Sequence, residues 1–279
     1  MTLAVGTELY NADVPPVTAR GASYTDAELD TTLGGSVSSI LWDDAGTANL
    51  QAIIASAATT DFSDQSVKRV LANRVTPESW RVGEGLADAF LIEHRACEFP
   101  WPTGRDLKNP SASPAGTDLV GFQSTDAVED TFRFAFGEVK TSEQEAWPPS
   151  VVNGPHGLRR QLEDLRDSTA VKDSLMRYLG HHANGTGWSS RYQSAAKRYL
   201  ANPCDVSLFG VLVRDVEPRS EDLASCAGGL ADGCPMETSV ELRAMYLPRH
   251  TITSLSQRAV AARGGGYGAP APPGPERLG

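Results

Sequence analysis

Apolar residues recur at spacings of three, four and seven through Val82, Leu86, Ala89, Phe90 and Cys97, the stripe of one helix face. Thr76-Pro77-Glu78 stands just ahead of it, and a proline in the first turn suits a helix because the N–H it lacks would be unpaired there anyway. The spacing predicts a strong helix from Thr76 to about Cys97. Phe99-Pro100-Trp101-Pro102 forbids its continuation, and a polar Gly/Asn/Pro/Ser stretch to about Gly116 reads as a mobile loop. The period then changes to two. Phe132, Phe134 and Phe136 alternate along one face, which predicts strands over Asp118–Phe122 and Phe132–Val139. Helical spacing returns over Leu158–Arg166, Val171–His182 and Arg191–Leu200, and Asp205–Val213 and Ser239–Leu247 are apolar enough for buried strands.

Thr251–Ala262 fits a last helix. Upstream, Ala48–Ala57 and Ser66–Arg74 fit short helices, each behind polar residues able to cap it. The first forty or so residues mix Pro15, Pro16, Gly21, Gly34 and Gly35 with short apolar stretches and read as irregular or β structure. Gly264-Gly265-Gly266 opens a stretch to Gly279 too poor in apolar surface to offset its ordering entropy, and 264–279 is expected to be disordered. This order of elements predicts an α/β protein with a mixed central sheet flanked by helices. The expected division is an acidic N-terminal accessory or partner-binding segment over 1–75, a main domain with a C-terminal α/β extension over 76–263, and the tail.

Composition changes this picture little. Hydrophobic residues make up 40% and charged residues 22% of the 279, the balance of a globular chain. No apolar run approaches the roughly 18 residues a membrane span needs, and no basic-then-apolar signal opens the chain, so a cytoplasmic protein without membrane contact is expected. Cys97, Cys204, Cys226 and Cys234 include no C-x-x-C pair, and Cys226 and Cys234, flanking a Gly-rich stretch read as a loop, are expected to be reduced thiols rather than a disulfide or zinc site.

Charge matters more. A formal charge of -10 is unusual for a protein that touches phosphates. Residues 1–66 carry nine acids and one base, however, whereas 156–200 carry eight bases against four acids. The asymmetry suits a basic groove, with Arg159 and Arg160 as candidate nucleic-acid contacts, beside an acidic lobe; an ordinary solvated helix face fits the same counts.

The candidate chemistry sits at Gly116-Thr117-Asp118-Leu119-Val120 and Gly137-Glu138-Val139-Lys140-Thr141. Residues two apart in a strand share a face, so Glu138 and Lys140 point together while Val139 points into the opposite layer. With Asp118 on the neighbouring strand, two carboxylates and the Val139 carbonyl can share a hard cation, with Lys140 beside the reacting phosphate. E-x-K alone is common on exposed strands, but here it follows a run of alternating aromatics on a strand that should be partly buried, where a carboxylate is rarely left without a partner. His181-His182 fits the end of a helix better than a ligand pair, His94 and His156 have no spaced partners, and no phosphate loop or nucleophile elbow is present.

At these residues the chain resembles the PD-(D/E)xK, or restriction-endonuclease-like, superfamily over roughly Glu78–Arg166. The first acid there usually follows a proline, where this chain has Thr117. The resemblance implies a restriction-endonuclease-like sheet and a Mg²⁺- or Mn²⁺-dependent nuclease acting on DNA. It implies Asp118, Glu138 and Lys140 as catalytic residues, with Glu84, Asp118, Glu138 and the Val139 carbonyl around the metal. It also places Gln161 where some exonuclease-like members have a functional glutamine. The V-G-E helix start and short acid-to-E-x-K spacing are similar to effector nucleases of bacterial anti-phage systems, the Hachiman type among them, which implies a helicase or ATPase partner and allows a homo-oligomer. The alternatives are a stand-alone restriction or repair nuclease and an inactive nuclease fold serving as a structural or DNA-binding subunit.

Overall fold

The computed structural model describes residues 5–57, 67, 70, 76–106, 116–126 and 130–266. Strands β1 (Thr7–Asn11) and β2 (Thr18–Ser23) lead into helices α1 (Asp26–Gly34), α2 (Ser36–Leu41) and α3 (Asp44–Ala57). Helix α4 (Ser79–Arg95) is followed by β3 (Cys97–Glu98), a short turn of helix over Thr103–Asp106, β4 (Leu119–Asp126) and β5 (Thr131–Ser142). Four helices come next, α5 (Ser150–Asn153), α6 (Leu158–Asp167), α7 (Thr169–Ala183) and α8 (Ser189–Ala201). Strand β6 (Val206–Arg214), α9 (Glu221–Ala231), β7 (Ser239–Tyr246) and α10 (Leu255–Gly266) complete the order.

One mixed sheet of seven strands runs β1-β2-β7-β6-β5-β4-β3. The neighbours β2, β7, β6 and β5 are parallel, whereas β4 is antiparallel to β5 and to β3, and β1 to β2. Helices cover both faces. Phe132, Phe134 and Phe136 pack with Leu158 and Leu162 of α6 and Tyr199 of α8 on one side, and Ala135 and Val139 with Val82, Leu86 and Phe90 of α4 on the other. Burial on both faces explains why β6 is apolar along almost its whole length.

The acidic opening segment is built into the main sheet and core. β1 and β2 extend the sheet, β2 pairing in register with β7 from Thr18 opposite Glu241 to Ser23 opposite Tyr246, and Leu29, Leu33 and Val37 join the core under α4. The reading of the first forty residues as irregular or β structure fits β1 and β2 but missed α1 and α2, although Thr25 and Glu28 form a capping box at the start of α1. Residues 227–231, in the Gly-rich stretch between Cys226 and Cys234 read as a loop, belong to α9, because Leu223, Cys226, Ala227 and Leu230 make a helical stripe that outweighs two glycines. Cys226 is buried there, and all four cysteines are free. The long helix is shorter than its stripe: Ala96, left-handed at φ 51°, closes α4, and Cys97 passes into β3. Helix α10 reaches Gly266, so the first three residues of the expected disordered stretch are helical; the rest of that stretch, the loop over 107–115 and most of the helix expected over 66–74 lie outside the described residues. Among the described residues no helix is long and apolar enough to cross a membrane.

Candidate active site

The ladder between β4 and β5 ends at Leu119 opposite Gly137, and beyond it β5 continues along β6 alone, with Glu138 opposite Gly210 and Lys140 opposite Leu212. The next N–H on the β4 side, that of Val139, would lose its partner. Asp118, the residue just before β4, supplies one, its Oδ2 accepting from Val139 N at 2.8 Å. The N–H and C=O of one strand residue point to the same edge, so the Val139 carbonyl faces the Asp118 side, where no strand pairs with it. Pleating sets Glu138 and Lys140 on one face, and the Lys140 ammonium lies 3.6 Å from Glu138 Oε2. Glu138 is only 2% exposed, and that same oxygen has no hydrogen-bond partner.

Glu84 arrives from α4, buried and paired with Arg81 one turn earlier. Burial and the nearby Asp118 charge push Glu84 up to about 7 and Glu138 up to about 8. Burial raises Asp118 as well, opposed by its Val139 hydrogen bond. The structure therefore places Asp118, Glu138 and Lys140 together, with Glu84 close enough to feel the Asp118 charge. These groups lie where the parallel strands β5 and β6 end, the usual position of a ligand site in an α/β sheet.

Two neighbours escaped the sequence reading. Asp88 lies one turn beyond Glu84 and Arg81 one turn before it, and all three line a cavity with Asp118, Phe99 and Trp101. Burial, partly offset by Arg81, pushes Asp88 up to about 7, and its Oδ1 is buried without a partner. The i, i+4 spacing of Glu84 and Asp88 on a stripe otherwise apolar was the available signal. The Phe99–Asp106 wall is pinned from outside. The Trp101 ring stacks on His182 at 4.0 Å, Trp101 Nε1 and the Tyr178 hydroxyl both donate to Asp106, and Arg105 grips Asp43 through two bonds of 2.7 Å. His182 is thus a packing partner from the last turn of α7.

The candidate nucleic-acid contacts are not brought to this cavity. Arg159 and Arg160 line a separate groove with Asn153 and Pro155, and each is paired on its own helix, with Glu163 and Asp164. Gln161 is partly buried on α6, its Oε1 without a partner. The expected basic groove is largely neutralised: Arg166 pairs with Asp167, Arg191 with Glu98 and Arg198 with Asp205, while the buried Lys172 ammonium donates to the Arg166 carbonyl.

Whether a divalent cation suits the cluster turns on its donors. Among the described residues no group of three or more His, Cys, Asp and Glu side chains converges as a metal cage. Two carboxylates, one with an unpartnered oxygen, and a carbonyl facing the same edge form an all-oxygen set, and Mg²⁺ commonly takes one or two carboxylates and keeps its remaining waters. The donors fit a Mg²⁺-like ion held mostly by water. Fold and site together define an α/β protein with a buried carboxylate–lysine cluster at the open end of a mixed seven-stranded sheet. No protein-family profile matches the chain, and no curated protein matches it.

Proposed function

We propose that the chain is a metal-dependent nuclease of the PD-(D/E)xK type, with a restriction-endonuclease-like core, that hydrolyses phosphodiester bonds in DNA. The observation that carries this reading is the meeting of Asp118, Glu138 and Lys140 where β4 has ended and β5 has not. Asp118, Glu138 and the Val139 carbonyl would hold Mg²⁺ or Mn²⁺, which when bound polarises a phosphate and acidifies a water. Lys140 sets a positive charge beside the same oxygens, placed to face a phosphate and the charge that grows on it. Glu84, restrained by Arg81, adds a group able to hold or release a proton near neutral pH. An effector role in anti-phage defence, restrained or served by a helicase or ATPase, follows from the sequence resemblance and is part of the same proposal.

A second reading, a catalytically silent nuclease fold, is favoured by the missing third metal-reaching carboxylate. One experiment separates the two. Purified chain with Mg²⁺ or Mn²⁺ is expected to cut single-stranded DNA, and circular and linear duplex DNA more weakly, with loss of cutting on chelation and in Glu138→Gln. No product under any of these conditions sinks the nuclease reading.

A further inference from the structure

The chain has five tryptophans, and four are engaged. Arg263 lies over Trp42, Arg219 lies over Trp147, Trp101 is stacked on His182, and Trp188 packs on Phe122. Trp80 is different: it is 40% exposed, and among the described residues no ring, cation or hydrogen bond engages its indole. The indole stands outside the buried stripe of α4, which Val82, Leu86, Ala89 and Phe90 supply.

Its position is informative. Trp80 is four residues before Glu84, hence near the same helix face. It lines an open groove of about 680 Å³ together with Ser79, Thr141, Ser142, Gln144 and Thr253. Thr141 follows Lys140 directly on β5, so the groove begins where the carboxylate–lysine cluster ends. The Thr141 hydroxyl itself is turned under α4 against Gly83 and is buried, so the groove's polar edges come from its other residues. Hydroxyl residues, the Gln144 amide, the Glu143 carboxylate, the apolar Val151 and Ile252 and the Trp80 indole line the groove, and no Lys or Arg does. Such a lining is poor for a phosphate and good for a nucleobase, which offers a ring face to the indole and polar edges to the hydroxyls.

We infer that Trp80 is a stacking platform for an unpaired base next to the scissile phosphate, and therefore that the strand entering the site is single-stranded or frayed. This rests on the nuclease reading. In a duplex both faces of each base are already stacked, so only an unpaired or terminal base can use the indole. The inference also accounts for a polynucleotide site on a chain of charge -10, because stacking requires no basic groove.

The test compares the full chain with Trp80→Ala and Trp80→Phe in Ca²⁺. Fluorescence anisotropy follows labelled single-stranded DNA and RNA of about ten nucleotides and a blunt duplex. Trp80→Ala is expected to weaken single-strand binding by about fivefold or more, with Trp80→Phe within about threefold of the unsubstituted chain. The duplex should be insensitive to both changes, and the salt slope unaltered, since stacking releases no counterions. The sugar bound more tightly identifies the strand as DNA or RNA. Equal single-strand binding by Trp80→Ala overturns the platform and leaves the nuclease reading intact. Equal losses in both variants, with lowered melting temperatures, make Trp80 structural and overturn it too. If the unsubstituted chain neither binds nor cuts any of the three, the nuclease reading falls and the platform with it.

Discussion

Glu138 is almost wholly buried beside a second carboxylate, which raises its proton affinity until the group titrates at about 8 instead of 4.5. Below the ordinary value the folded and unfolded chains both keep this proton. As pH rises from 4.5 to about 8 the unfolded chain releases it and the folded chain does not, so this group's contribution to stability is lost across that window. Glu138→Gln removes the dependence while keeping the shape. In chelator it is expected to melt above the unsubstituted chain near pH about 8 and level with it near pH about 4, each kcal/mol reading as about 2–4 °C. Calorimetry over a pH series checks this, and equal melting at the alkaline end refutes it. Binding of a divalent cation requires the carboxylate charged, so metal-supported cleavage should climb with pH through the region of 7 to 8 where Glu84 and Glu138 titrate. Lys140 is partly exposed and outside the core, so Lys140→Ala should retain the fold and lose cleavage by about 10²–10³-fold. Activity equal to the unsubstituted chain would remove Lys140 from the mechanism.

Between α4 and β5 the fit depends on a missing side chain. A Cβ at Gly83 would stand 2.2 Å from the Thr141 hydroxyl oxygen, and β-branched Thr141, held in a central strand, has little freedom to turn away. Gly83→Ala should therefore push α4 off the strand, costing about 1–3 kcal/mol and drawing Glu84 away from Asp118. Adding Thr141→Ala should restore much of the loss, because the side chain at position 83 would then meet the residue 141 Cβ and a Val213 methyl at ordinary distances. Melting temperatures of the two single variants and the pair measure the coupling, and simple additivity would show that the two residues do not clash. The sequence showed this junction in part. The period of the α4 stripe, the alternating phenylalanines and the E-x-K strand end are local patterns, and each marks an element that the structure contains. Besides β1, β2 pairs with β7, a strand more than two hundred residues away, and no local periodicity carries that pairing. Arg81 and Asp88 were hidden for a related reason, since their role comes from burial under Phe99 and Trp101, a segment that is distant until β3 pairs with β4.

At the scale of the molecule the charge asymmetry reads differently once its partners are in place. Asp43 holds Arg105, Asp44 holds Arg263, and Asp26 and Asp30 hold Arg258, so much of the opening segment's acidity ties α1, α3 and α10 together and fixes the wall of the carboxylate cavity. Of the eight bases between 156 and 200, Arg159, Arg160, Arg166, Arg191 and Arg198 are in ion pairs with carboxylates, and Lys172 is buried. A nucleic acid approaching such a surface finds few free cations, and each phosphate neutralised by Lys or Arg contributes close to one unit to the salt slope. The isolated chain is therefore expected to bind duplex DNA weakly, with a slope of log K against log salt no steeper than about two. A helicase or ATPase partner would then supply both the affinity and the unpaired strand that this surface lacks. Anisotropy titrations of a labelled duplex over a salt series, with and without such a partner, check the expectation. Tight binding by the chain alone with a slope of six or more, on the order of a protein with many free phosphate contacts, would overturn it.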